Sequence, residues 1–289
     1  MDVIITEFLQ AMYQQGIVPT SSIQVNGEIQ RFHIKGDTAN KANGWAVVHP
    51  GPFPSGVFGN WKTGVRHQWQ FKTPTTQEER RAHKKAMREL YRTQDAERLN
   101  RYAEAAEKAR SLIDASHPAD PAHPYLLRKQ IQPIGVYQQE QTLLIPMYDG
   151  IALASVQAIY ADGFKQFLKG GKTKGCHLRL GEWSDQILIC EGYATGATLR
   201  QSHNATTIIA FTANNLVTVA QAVRHERPAA VITIAADNDL WTEGNPGLTK
   251  ARHAAVSIRG KVIYPDFSDL DTSSYPTDFN DYVRLGGVL

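Results

Sequence analysis

The chain has 289 residues, 42% hydrophobic and 20% charged, with a formal net charge of +3. That balance is that of a soluble globular protein with room for one large domain or two ordinary ones. The net charge is too small by itself to announce a nucleic-acid binder, so the distribution of charge has to carry that argument. No apolar run approaches the roughly 18 residues of a membrane span. The opening Met1-Asp2-Val3-Ile4-Ile5-Thr6-Glu7 carries acid where an export signal carries base. Cys176 and Cys190 have no CxxC spacing, which excludes a zinc ribbon and fits a reducing cytoplasm.

Residues 1–75 hold short alternating runs: Ile23-Gln24-Val25, Arg31-Phe32-His33-Ile34, Gly44-Trp45-Ala46-Val47-Val48 and His67-Gln68-Trp69-Gln70-Phe71. Turn formers such as Asn26-Gly27, Pro50-Gly51-Pro52 and Lys62-Thr63-Gly64 separate them, which predicts a small antiparallel, β-rich domain. Trp61 and Trp69 lie among Lys62 and Arg66, a mixture that suits stacking on single-stranded bases. A small sheet also needs large aromatics for its own core, and that is the stronger of the two readings.

Residues 76–120 read as a connector. Met87, Leu90, Tyr91, Leu99, Tyr102, Ala103 and Ala106 form a helical stripe with mixed charge on the other faces. A solvated helix accounts for that charge, although Arg80-Arg81 and Lys84-Lys85 are available to phosphate. The run His117-Pro118-Ala119-Asp120-Pro121-Ala122-His123-Pro124 then breaks the pattern as a linker or rigid turn. A catalytic domain is expected over 121–289. It opens with strands Leu143–Tyr148 and Ala154–Tyr160, and Asp149-Gly150 and Asp162-Gly163 are their hairpin turns. The segment Lys165-Gln166-Phe167-Leu168-Lys169-Gly170-Gly171-Lys172-Thr173-Lys174-Gly175 follows. Its lysines and glycines bring cations and backbone amides together, as a polyphosphate site requires. A P-loop is excluded, because Gln166 stands where that motif needs glycine.

Two unbroken apolar runs then end in acid: Ile187-Leu188-Ile189-Cys190 leads into Glu191, and Ala230–Ala236 leads into Asp237-Asn238-Asp239. Short apolar runs between helical patterns are the mark of strands covered on both faces. The crevice of an open parallel sheet lies beyond the carboxyl ends of its strands, which puts all three acids at one edge. Hard oxygen ligands without a histidine or cysteine cage suit Mg²⁺ or Mn²⁺, not zinc. Helices over 195–202, 216–225 and 247–258 and strands over 206–211 and 261–265 complete a β-α-β order with a parallel sheet. The closing Thr277-Asp278-Phe279-Asn280-Asp281-Tyr282 adds two carboxylates that either approach this site or cap a last helix.

Glu191-Gly192-Tyr193-Ala194-Thr195-Gly196 after one strand and Asp237-x-Asp239 after a later one resemble the Toprim domain, in the variant of primases from conjugative plasmids and some phages. Lys169 to His177, Gly244-Asn245-Pro246-Gly247 and Thr277 to Asp281 agree with it, over roughly Pro124 to Tyr282. The stretch from Gly36-Asp37 to Trp61-Lys62-Thr63-Gly64 resembles the region preceding that domain in the same primases. The resemblance implies a Rossmann-like α/β Toprim core over about 185–283. Glu191, Asp237 and Asp239 would be catalytic metal ligands, with Asp281 as a further one. Lys165, Lys169, Lys172 and Lys174 would be nucleotide-binding. It departs from cellular primases at Thr195, where those carry an acid. The implied activity is synthesis of short RNA primers on single-stranded DNA from ribonucleoside triphosphates, with a replicative helicase as a candidate partner. A Toprim-type nuclease using the same acids and a non-catalytic nucleic-acid-binding module are the alternatives. Three unpaired acids at strand ends, costly unless a cation joins them, disfavour the last.

Overall fold

Ile5, Phe8, Leu9 and Met12 recur at helical spacing, and they place a helix, α1 (Asp2–Gln14), where only strands and turns were expected. Phe8 and Met12 are wholly buried. The computed structural model describes residues 2–37 and 41–289; Met1 and residues 38–40, which interrupt the stretch resembling plasmid primases, lie outside the described residues. The chain divides into two units, 1–97 and 98–289.

In the first unit β1 (Gln30–Phe32), β2 (Gly44–His49), β3 (Ser55–Asn60) and β4 (Val65–Gln70) form an antiparallel sheet in that order. Ile23-Gln24-Val25 is not a strand, and β3 takes its place in the sheet. Phe58 packs edge-on to Phe8 with ring centroids 5.4 Å apart, and Trp69 does so at 5.2 Å. Trp69 therefore serves the core, as a small sheet requires. Trp61 remains exposed beside Trp45 at 5.3 Å. The connector is one helix, α2 (Gln77–Asp114), and the division between the units falls within it.

The second unit contains two five-stranded sheets. The first is antiparallel: β5 (His117–Pro118), β6 (Tyr137–Gln139), β7 (Thr142–Asp149), β8 (Ala152–Tyr160) and β9 (Lys165–Phe167). Gly150, at φ 61°, and Gly163, at φ 94°, make the turns from β7 to β8 and from β8 to β9, as their Asp-Gly pairs predict. The proline-rich run is not a loose linker. It supplies β5 and the start of α3 (Pro124–Lys129), where the buried His123 ring accepts a hydrogen bond from the Tyr125 N–H as the helix cap.

The second sheet is β10 (Leu178–Leu180), β11 (Gln186–Cys190), β12 (Thr206–Ile209), β13 (Val231–Ala235) and β14 (Lys261–Ile263). Its spatial order is β10-β12-β11-β13-β14, parallel except for β10 at the edge. Helices α4 (Tyr193–Ser202), α5 (Leu216–Glu226), α6 (Pro246–Ile258) and α7 (Phe279–Arg284) complete it. Ile187, Ile189, Ile232 and Ile234 pack with α5 and α6 residues, whereas Cys190, Ile209 and Ala235 pack with α4 residues. Both faces are thus covered, which is why these strands read as unbroken apolar runs. Gly196 lets α4 lie close to the sheet: a Cβ there would stand 2.5 Å from Ile209 Cγ1. Among the described residues, no helix is long and apolar enough to cross a membrane.

Candidate active site

β11 and β13 are hydrogen-bonded neighbours, with Cys190 opposite Ala235. Glu191 follows β11 directly and Asp237 follows β13 by two residues, so the register delivers both carboxylates to one sheet edge. Asp239 is aimed by the start of α6. Its Oδ2 accepts from the Gly247 N–H at 2.8 Å, and its own N–H donates to Asn245 Oδ1 at 2.9 Å. Asn245 sits at φ 41° as the cap of α6, and Pro246 follows where the first turn needs no N–H. Gly247 completes the cradle, since a Cβ would stand 2.8 Å from both the Asp237 carbonyl oxygen and Asp239 Oδ2.

The edge is electrostatically uncomfortable. Burial holds Asp237 well above the usual carboxylate range, and the charges of Glu191, Asp278 and Asp239 add to it while Lys165 opposes. Burial also raises Glu191; a hydrogen bond from the Ala213 backbone N–H pulls it back, Asp239 raises it and Lys165 lowers it. Asp237 Oδ1 is buried with no hydrogen-bond partner. An orphaned acceptor among crowded carboxylates is what a bound cation resolves. Among the described residues, no three His, Cys, Asp or Glu side chains cluster tightly enough to hold a metal unaided. Mg²⁺ commonly uses only one or two carboxylates, with waters and substrate phosphates filling the remaining positions. The donor set therefore fits a hard cation that takes only one or two carboxylates from the protein.

Residues 186–288 match the sequence family described as the Toprim domain. This segment is a Toprim domain. Two proteins of Escherichia coli, both named DNA primase TraC, are 32% and 31% identical to this chain over 94% of its length. The chain spans about a quarter and a fifth of their lengths, 27% and 20%. The solved catalytic domain of DnaG primase bound to single-stranded DNA aligns over 66% of this chain and 77% of its own, at 11% identity and a TM-score of 0.43.

The four lysines expected to act together are dispersed around the Toprim domain. Lys165, on β9, acts on Glu191, Asp237 and Asp278, and a Cβ on Gly192 would lie 3.9 Å from its ammonium. Lys172 is paired with Asp149 and, with Lys174, lines a separate cavity of about 950 Å³ beside α5. Lys169 borders another, of about 460 Å³. The glycines between β9 and β10 turn the backbone, so neighbours in sequence face different ways. In the first unit Lys62 is paired with Asp37 at 2.9 Å, and Arg66 is exposed on β4.

Asp281 points its charge at Lys129, 3.1 Å away, and at Arg284, 3.6 Å away. Asp278 is the carboxylate of that closing segment whose charge reaches Asp237, and it also caps α7 by accepting the Asp281 N–H at 2.8 Å. Capping and approach to the site, posed as alternatives by the sequence, are both met by one residue.

Asn215 was not anticipated. It is buried, its Oδ1 accepts from the Gly175 N–H at 2.7 Å, and its Nδ2 donates to the carbonyls of Cys176 and Ala210 at 2.9 Å each. It thereby ties the lysine loop to the end of β12, two residues from the Ala213 amide that holds Glu191. The only sequence signal was a polar pair, Asn214-Asn215, between apolar runs. Asn215→Ala is expected to lower stability by about 1–3 kcal/mol, because a buried N–H loses its acceptor. It should also speed tryptic cleavage at Lys172 and Lys174 relative to the rest of the chain. Unchanged cleavage at those two sites would show that other contacts hold the loop.

Proposed function

We propose that this chain is the primer-synthesising part of a DNA primase, making short RNA on a single-stranded DNA template by metal-dependent nucleotidyl transfer. The observation that carries this reading is the pairing of a cation-seeking carboxylate edge, Glu191 with Asp237 and Asp239, with similarity to DNA primase TraC over 94% of the chain. Glu191, Asp237 and Asp239 would hold Mg²⁺ or Mn²⁺. When bound, the ion neutralises the triphosphate and activates the attacking 3′-hydroxyl. The chain's own residues do the positioning. The Gly247 N–H orients Asp239, the Ala213 N–H orients Glu191, and Lys165 supplies a point charge for the incoming triphosphate. Trp61, Lys62 and Arg66 are first-unit residues offered to the template, and Lys169, Lys172 and Lys174 serve nucleotides beyond the reacting one. Residues 121–289 carry the chemistry, and a replicative helicase is the partner such an activity calls for.

The test uses circular single-stranded DNA, Mg²⁺ and four ribonucleotides, one labelled at the α-phosphate. The expected result is labelled oligomers with the circle intact. Cleavage of the circle without labelled product would replace the primase reading with a nuclease that directs water at phosphate from the same carboxylates.

A further inference from the structure

Within the first unit, α2 separates its residues by face. His83, Ala86, Met87, Leu90 and Gln94 are half-buried. This face meets the unit's other elements: His83 is 5.4 Å from the Phe53 ring, Tyr91 at its border is 5.7 Å from the His49 ring, and Gln94 Nε2 donates to the Asn26 carbonyl at 3.4 Å. The opposite face carries Arg81, Lys85, Arg88 and Arg92, with Lys84 beside them, and all five are exposed. The spacings of four, three and four residues put Arg81, Lys85, Arg88 and Arg92 in one row along the helix. Glu89 is the one acid between positions 81 and 92, and it lies on the flank of that row. Among the described residues, none of these five cations has an ion-pair or hydrogen-bond partner.

We propose that this row is a docking surface for the phosphate backbone of nucleic acid, separate from the carboxylate edge of the Toprim domain. A helix rises about 1.5 Å per residue, so successive cations in the row stand about 4.5–6 Å apart along the axis. That repeat is of the same order as the spacing of phosphates along one strand. Helical surface cations are normally interleaved with acids, which gives intrahelical pairs at three and four residues. Here Glu89 stands four residues after Lys85 and three before Arg92 but is ion-paired with neither among the described residues, so four cations share one flanking acid. A polyanion of regular charge spacing is the ligand that complements the row. Backbone contacts of this kind hold and orient a strand without reading its bases. The inference rests on the proposed function only for the choice of nucleic acid as the polyanion.

The experiment measures binding of the full chain to labelled single-stranded DNA by fluorescence anisotropy over a series of salt concentrations, without metal or nucleotide. Arg81→Gln, Lys85→Gln, Arg88→Gln and Arg92→Gln are combined in one variant; glutamine keeps a similar helix propensity. A charge-matched control combines Lys108→Gln, Lys250→Gln, Arg252→Gln and Lys261→Gln, all at exposed positions of the second unit. The row variant is expected to bind at least tenfold more weakly at low salt. Its slope of log affinity against log salt should be shallower by about 2–3, since each lost phosphate contact removes roughly 0.7 for single strands. Equal losses in the row variant and the control would overturn the proposal in favour of a net-charge effect. Unchanged binding in the row variant would overturn it outright. Row-dependent binding of polyglutamate as tight as that of DNA would assign the surface to an acidic protein instead. Primer synthesis on the circular template is scored separately, so failure of the row leaves the reading of the carboxylate edge standing, and the reverse.

Discussion

Asp237→Asn is expected to stabilise the metal-free protein at neutral pH while abolishing nucleotide incorporation. The Asp237 carboxyl is held well above its ordinary range, by burial first and then by Glu191, Asp278 and Asp239. The folded state therefore binds its proton more tightly than the unfolded state does. Stability from this group is present at low pH and is lost as pH rises through the raised folded value, where the buried site must ionise. Asparagine removes that loss, and the expected gain is about 0.5–2 kcal/mol, the usual size for relieving such a site. In a unit of this size that raises Tm by about 1–8 °C. Activity should fall by about a thousandfold or more, because an amide cannot supply the several kcal/mol of charge stabilisation that a carboxylate-held cation provides. Calorimetry in chelator and in Mg²⁺ between pH 5 and 8, beside the labelled-nucleotide assay, reads both effects. Wild type should gain stability from Mg²⁺ at neutral pH and the variant should gain much less. A variant that is less stable than wild type in chelator and equally responsive to Mg²⁺ would mean that Asp237 is an ordinary structural acid.

Gly247→Ala is expected to damage the site from the other side. An alanine Cβ would stand 2.8 Å from the Asp237 carbonyl oxygen and 2.8 Å from Asp239 Oδ2, so α6 or the acids must move. The Gly247 N–H would then no longer hold Asp239 at 2.8 Å. Overpacking of this kind costs about 1–3 kcal/mol. A displacement on the order of 1 Å among reacting groups reduces kcat about a hundredfold. Gly244→Ala is the comparison. Nothing lies within 4 Å of its Cβ, and its φ of 78° adds only local backbone strain. It should lose stability with little loss of kcat. If the two variants lose kcat equally, close approach of α6 to Asp239 is not what positions the acid.

Much of the Toprim domain was legible in the chain because its signals are local. The apolar runs at 187–190 and 230–236 and the helical patterns between them became β11, β13, α4, α5 and α6 almost as read. The Asp-Gly pairs became the turns of β7–β8 and β8–β9. The acids were visible because each terminates an apolar run, and a charge there has nowhere to lie but the sheet edge. Helix α1 was legible too, in the spacing of Ile5, Phe8, Leu9 and Met12, but its place among strand-like segments obscured it.

Which elements become neighbours is another matter, because pairing is decided by the burial of whole faces and not by any one segment. Periodicity shows that 187–190 and 231–235 are strands; only the assembled sheet shows that they are adjacent and in register, with Cys190 opposite Ala235. The same holds for Lys165, which comes to the acids from a different sheet, while Lys172 and Lys174 turn away to a separate cavity. It holds for the closing segment as well, where the sequence offers Asp278 and Asp281 alike and packing directs Asp278 towards Asp237 and ties Asp281 to Lys129. Asn215 is the extreme case, since its hydrogen bonds join residues up to 42 positions away and nothing in its immediate neighbours announces them. Local propensity reports backbone conformation and which residues seek burial; the site's cation, its extra acid and its supporting amide depend on distances between segments that only the packed core sets.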